Sequence, residues 1–290
     1  MKKAVIIGSG PAGISAALYL QRSGKIDVSI ISNGMGALGK AEKIENYYGF
    51  AEPVSGEELY RRGVEGAKRL GVEFIEEEVV SIVFDDNYLP VAVTNKAEYT
   101  ADALLLATGV SRKTLNIKGI NEFEGKGVSY CAVCDAFFYR GKNVCVIGSG
   151  EYAIHEAQVL ANTSPEVTLL TNGAELTAVL PENIKLNTSK IAEVKGDLTV
   201  ESVEFEDGSS IEVSGVFIAL GTADSGDLAR KVGAVIDNGH IMVNNKMETT
   251  IPGLFAAGDC TGGTLQVFKA VYEGATAGLA IINYLKNKPE

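Results

Sequence analysis

The sequence predicts an α/β protein that carries two dinucleotide-binding βαβ units, and three observations predict it. A turn of the form Gly-x-Gly-x-x-Gly follows the first strand, at Gly8-Ser9-Gly10-Pro11-Ala12-Gly13. A near copy follows a later strand, at Gly148-Ser149-Gly150-Glu151-Tyr152-Ala153. Short apolar strands that stop on glycine recur at residues 103–109, 216–221 and 253–258.

In chain order, the β-branched run 3–7 reads as a strand, 14–22 as a helix and 27–32 as a second strand closed by Asn33-Gly34. That is the length a dinucleotide-binding βαβ unit requires. Its glycines let the backbone turn sharply and approach a pyrophosphate, whose charge then meets the helix N-terminus. Residues 56–70 read as an amphipathic helix, with Arg61, Arg62, Lys68 and Arg69 on its polar side. The unit recurs as strand 142–147, a helix to Leu160, strand 166–170 and Thr171-Asn172-Gly173. Two such units mean two dinucleotide-type domains. The strand near the C-terminus ends in Gly258-Asp259, where an aspartate can bond a polyol hydroxyl or cap the next helix. A last helix starts near Leu265 and runs through Leu285.

Between the units lies Cys131-Ala132-Val133-Cys134-Asp135. Two cysteines three positions apart can close a small ring, so the pair can carry two electrons as dithiol or disulfide. The adjacent carboxylate can move the accompanying proton. A zinc half-site is the competing reading, but it needs a second ligand pair, and Cys145, Cys260, His155 and His240 are scattered. No metal site is expected. Cys145 reads as core, Cys260 as a small buried thiol, and neither histidine is assigned a catalytic role.

At 290 residues the chain can hold two modest domains. A net charge of −11 and the lack of a basic run argue against nucleic acid as a partner. The apolar run after Met1-Lys2-Lys3 ends at Gly8, too short for a signal-peptide core, and no run reaches membrane-spanning length. The expectation is a cytoplasmic protein, where such a cysteine pair is catalytic more often than structural.

These elements in this order resemble the low-molecular-weight flavoprotein thioredoxin reductases. The Gly8–Gly13 turn, Ile44-Glu45-Asn46, Ala107-Thr108-Gly109, Cys131 to Asp135 with Phe137-Phe138-Tyr139-Arg140, and Gly258-Asp259 carry the resemblance over nearly the whole chain. The resemblance implies two Rossmann-like, three-layer (ββα) domains, the second inserted into the first. Residues 1–113 and 214–290 would form an FAD-binding domain, and 114–213 an inserted NAD(P)H-like domain carrying the cysteine pair.

The implied FAD contacts are Gly8, Ser9, Gly10, Pro11, Ala12, Gly13, Gly36, Lys40, Asn46, Val80, Ala107, Thr108, Gly109, Asp259, Gln266 and Val267. Cys134 would face the flavin, Cys131 would attack the disulfide of a thioredoxin, and Asp135 would shuttle the proton. A homodimer is implied as well. Tyr47 and Tyr48 either line the flavin cavity or pack as aromatic core.

The inserted domain departs from that pattern. Relatives that use NADPH carry an Arg-rich stretch after its second strand, to hold the 2′-phosphate. Here residues 143–184 contain no Lys or Arg, while Glu151, Glu156, Glu166, Glu175 and Glu182 are acidic. A dianionic phosphate would meet repulsion on the order of 1 kcal/mol per close pair. The segment before the next strand is also short, as though a helix were trimmed. The pattern matches the ferredoxin-dependent flavin thioredoxin reductases, so ferredoxin is the expected donor and the inserted domain is expected to hold no nucleotide. Glu175 keeps an NADH-dependent reductase open as the alternative. A flavoprotein dithiol oxidase and a non-catalytic flavin-binding regulator also remain. Arg61, Arg62, Lys68 and Arg69 are a candidate ferredoxin patch, against a simple solvated face.

Overall fold

A computed structural model describes residues 1–110 and 115–288. The first segment forms β1 (Lys2–Ile7), α1 (Pro11–Arg22), β2 (Ile26–Ile31), α2 (Gly56–Arg69), β3 (Glu73–Ile75), β4 (Val79–Phe84), β5 (Pro90–Thr94), β6 (Glu98–Thr100) and β7 (Ala103–Leu106). The middle segment forms β8 (Val128–Ser129), α3 (Ala132–Asp135), β9 (Val144–Ile147), α4 (Glu151–Ala161), β10 (Val167–Leu170), β11 (Lys185–Asn187), β12 (Ile191–Gly196), β13 (Val200–Phe205), β14 (Ser210–Glu212) and β15 (Gly215–Ile218). The last segment adds α5 (Ser225–Lys231), β16 (Ile236–Asp237), β17 (His240–Ile241), β18 (Leu254–Ala256) and α6 (Val267–Asn287). The chain divides into two units, one of the described residues up to 110 and from Asp224 onward, the other from 115 to Ala223.

In the first unit a parallel sheet runs β18-β7-β1-β2-β3. Leu104, Leu105 and Leu106 are fully buried, which is why β7 reads as a continuous apolar run rather than an alternating one. Helices α1 and α6 pack on each other through small residues; a Cβ on Gly274 would come within 2.0 Å of the Ala12 carbonyl oxygen. The antiparallel sheet β4-β5-β6 packs against β1 through β6.

The second unit repeats the plan. Its parallel sheet runs β11-β10-β9-β15-β8, and an antiparallel sheet β12-β13-β14 joins one core with it through Cys145, Ile147, Val194, Val203, Phe205 and Val216. Burying each large aliphatic side chain here contributes about 1.5–3 kcal/mol.

Two expectations need adjustment. β15 pairs with β9 and β8, so residues 214–223 belong to the inserted unit and the expected break at 213/214 is too early. The other expected break, 113/114, lies outside the described residues. α1 starts at Pro11 rather than Ile14, because a proline at the first helical position has its φ already set. His240 opens β17, and its ring stands beside Gly262. Between β10 and β11, residues 171–184 make the parallel crossover without a helix, which a crossover of this kind usually contains.

Candidate functional site

In the first unit, most of the expected cofactor residues gather at the C-terminal edge of the parallel sheet, where open α/β sheets bind their ligands. Gly8 follows β1, Ala107, Thr108 and Gly109 follow β7, and Asp259 follows β18. Gly8 has φ +107°, and a Cβ there would meet the Ala107 carbonyl oxygen at 2.4 Å, so only glycine lets these strand ends close up. Gly10 then caps α1, which has no side-chain cap and no acid in its first turn. Nothing lies within 4 Å of where a Cβ on Gly10 would stand. Uncapped helical N–H groups facing open space beside a glycine turn fit a diphosphate, and thus FAD.

The side chains around this edge are mutually bonded. Asn46 Nδ2 donates to Gln266 Oε1 at 3.1 Å, joining two expected cofactor residues 220 positions apart. The Ser9 hydroxyl lies 3.0 Å from that of Tyr60. Thr108 donates its N–H to Ser225 Oγ at 3.1 Å, and the two hydroxyls lie 2.7 Å apart. Ser225 is fully buried and escaped the sequence reading.

A buried ion pair grips the β18 end. Lys269 Nζ lies 2.9 Å from Glu273 Oε2 and donates to the Gly258 carbonyl at 2.7 Å, while Glu273 accepts the Gly258 N–H at 2.8 Å. The peptide groups leading into Asp259 are thereby held on both sides.

Other expected positions are less convergent. Val80 is buried on β4, its carbonyl bonded by Lys231 Nζ at 3.1 Å. Gly36 and Lys40 are exposed in and beside a short 3-10 turn, Pro11, Ala12 and Gly13 form the first turn of α1, and Val267 is half-buried at the start of α6. Tyr48 is 98% exposed and lines no core; Tyr47 is half-buried, with its ring 6.2 Å from that of Phe50. Cys260 is buried, which pushes its thiol up to about 12, and Cys145 is pushed higher still by the same cause, so both are inert at neutral pH.

In the second unit Cys131 and Cys134 form a disulfide. Cys131 is buried and caps α3, its sulfur accepting the Cys134 N–H at 3.2 Å; Cys134 is exposed. Ser129 Oγ accepts the Cys131 N–H at 3.1 Å and donates to Asp135 Oδ2 at 2.6 Å. A hydrogen bond to a charged group is worth about 1.5–3 kcal/mol, enough to fix the Asp135 rotamer. A cavity of about 1020 Å³ opens beside Asp135, Phe138 and Tyr139, giving the carboxylate access to solvent. Burial, and then the charge of Asp135, raise the Tyr139 phenol above its ordinary value. Phe137 and Phe138 are 70% and 68% exposed beside the pair. No cluster of three or more metal-ligating side chains occurs among the described residues.

The glycine turn of this unit differs from the first. Thr177, in the helix-free segment, donates both its N–H and its hydroxyl to the Ser149 carbonyl, at 2.8 and 3.1 Å. A Cβ on Gly150 would meet the Gly221 carbonyl oxygen at 3.5 Å and Thr177 Oγ1 at 3.7 Å, where Gly10 faces open space. The expected basic patch on α2 is also weaker than its sequence implies. Arg61 pairs with Glu58 and Glu65 and Arg62 with Glu58, the last at 2.7 Å, and the two guanidiniums hold the Glu58 carboxyl down at about 2. Among the described residues no helix is long and apolar enough to cross a membrane.

A model of the pyridine nucleotide-disulphide oxidoreductase family matches residues 2–274. The thioredoxin reductase of Aquifex aeolicus (strain VF5) is 36% identical, over 98% of this chain and 93% of its own length. That of Bacillus subtilis (strain 168) is 31% identical, over 99% of this chain and 95% of its own. Among solved structures, the atypical thioredoxin reductase TRi from Desulfovibrio vulgaris Hildenborough matches with 39% identity, 99% of both chains and a TM-score of 0.94. A ferredoxin-flavin thioredoxin reductase from Clostridium acetobutylicum matches with 33% identity, 99% of both chains and a TM-score of 0.74. The chain belongs to the pyridine nucleotide-disulphide oxidoreductase family, among the homologues of the low-molecular-weight thioredoxin reductases, which are FAD flavoproteins acting on disulfides.

Proposed function

We propose that the protein reduces a thioredoxin or thioredoxin-like protein with electrons drawn from reduced ferredoxin rather than from a pyridine nucleotide. The observation that carries the choice of donor is the second glycine turn, covered by Thr177 from a crossover that has neither a helix nor a basic residue. When bound, FAD supplies the ability to collect single electrons and release them in pairs.

The chain's own groups do the rest. Two electrons and two protons open the Cys131–Cys134 bond to a dithiol. The Cys131 sulfur stands at the start of α3, where it already accepts the Cys134 N–H, and serves as the nucleophile. It attacks one sulfur of the partner's disulfide, forming a mixed disulfide and expelling the other sulfur as a thiolate. Cys134 then displaces the partner, whose two sulfurs leave with the electron pair, and the Cys131–Cys134 bond re-forms. Asp135, steadied by Ser129 and open to the cavity, takes and returns the proton. Cys131 is buried in this arrangement, so it must become accessible before it attacks. The exposed Phe137 and Phe138 give a docking partner an apolar footing.

Anaerobic stopped-flow mixing with reduced ferredoxin should bleach the flavin band within turnover time. NADPH or NADH at millimolar concentration should leave it yellow; rapid bleaching by either would reverse the assignment of donor. That second reading, a pyridine-nucleotide-dependent thioredoxin reductase, is favoured by the retained Gly148, Gly150 and Ala153 turn and by the relatives' family. We also propose that the protein works as a homodimer, which light scattering would check.

A further inference from the structure

Helix α4 buries Ala153, Glu156, Ala157 and Leu160 along one stripe, so an acid stands in the middle of an apolar face. Glu156 is 1% exposed, and its Oε2 accepts the Ala132 N–H at 2.8 Å. Ala132 is the first residue of α3, directly after Cys131, and α3 packs on α4. The N–H groups at such a helix start would otherwise favour negative charge on the capping sulfur. Here Glu156 takes one of these donors and sets a carboxylate of its own against the turn. Asp135 stands at the other end of α3, so acids flank the disulfide on both sides.

We propose that Glu156 is a positioning residue that makes the Cys131–Cys134 couple more strongly reducing. Reduction adds two electrons and two protons and leaves two uncharged thiols; ionisation of the Cys131 thiol would stabilise the reduced pair further, and a buried carboxylate beside it disfavours that thiolate. The dithiol therefore gives up its electrons more readily to the next disulfide in line. This inference rests on the reading of the pair as the redox centre but not on the choice of donor.

The test is redox titration of the holoenzyme under argon with dithiothreitol and its cyclic disulfide, which exchange the same two electrons and two protons. Acid quenching, unfolding and maleimide labelling then count the thiols by mass. Glu156→Gln keeps the acceptor and removes the charge. It should favour the dithiol about tenfold over wild type, a shift of about 30 mV for a two-electron couple. An unshifted midpoint in a folded Glu156→Gln would overturn the proposal and leave Glu156 a purely structural cap. Should that variant not fold, the wild type decides, through the pH dependence of Cys131 alkylation in the reduced enzyme. Half-maximal reactivity should fall at or above the ordinary cysteine value of about 8.5; a value near 6 would overturn the proposal. A wild-type pair that stays oxidised at every ratio would instead sink the redox reading itself.

Discussion

Cys131 and Cys134 differ in environment more than in chemistry. One sulfur is buried and bonded to a backbone N–H, and the other is exposed. If Cys131 is the attacking thiol, Cys134→Ser removes the sulfur that resolves the mixed disulfide. That variant, reduced and mixed with oxidised thioredoxin, should accumulate a covalent one-to-one complex on non-reducing gels, while Cys131→Ser should not. The reverse result would exchange their roles. A second residue-scale prediction concerns Asp227. Burial, and then the neighbouring Asp224, raise its carboxyl to about 7. A carboxyl raised on folding holds its proton more tightly in the native state than in the unfolded chain, where it titrates near 3.9. Its contribution to stability therefore falls as pH climbs from about 4 to about 7. Asp227→Asn, which keeps an oxygen to accept the Asp224 N–H, should abolish this slope. The melting temperature of wild type minus variant should thus be higher at about pH 5 than at about pH 7.5, by a few degrees. A constant difference would refute it.

At the scale of elements, the ion pair on α6 acts on the end of β18. Lys269→Met leaves Glu273 buried without its cation, a loss of about 3 kcal/mol when one partner of a buried pair is removed. The Gly258 carbonyl also loses its charged donor, keeping only Thr261. The variant should melt several degrees lower and lose flavin on gel filtration, read from the visible-to-ultraviolet absorbance ratio. Full flavin retention would show that the pair does not brace Asp259. The elements were the part most legible in the sequence. Both glycine turns, the apolar strands β7 and β15, and the missing helix after β10 follow from periodicity, punctuation and length. The sheet that β15 joins does not follow, because an apolar strand ending on glycine reads alike in either unit. Glu156 and Ser225 were missed for a related reason. Each sits at an otherwise ordinary helical position, and only tertiary packing sets it against a redox turn or a strand end. Glu156 did leave a trace, an acid on the buried stripe of α4. The basic face of α2 misled in the opposite sense, since its acids at i−3, i−4 and i+4 neutralise Arg61 and Arg62 along the helix.

At the scale of the whole molecule, a chain of net charge −11 would repel an acidic carrier at long range, so if ferredoxin is the donor its docking rests on local complementarity. Turnover with ferredoxin should vary less with salt than for a strongly steered pair, and a steep fall between about 0.05 and 0.2 M would argue for a basic site elsewhere than α2. The bonded hydroxyls of Thr108 and Ser225 carry one more consequence. They stand close to where the polypeptide leaves its first lobe and where it comes back, 117 residues later in sequence, so exit and re-entry are sewn together within that lobe. Splicing residue 110 to Asp224 through a few glycines would span a gap the native lobe already closes, at little entropic cost. The shortened chain should fold, stay yellow and lack any reducible disulfide. In this sense the disulfide-bearing half is a guest, and the host could keep house without it.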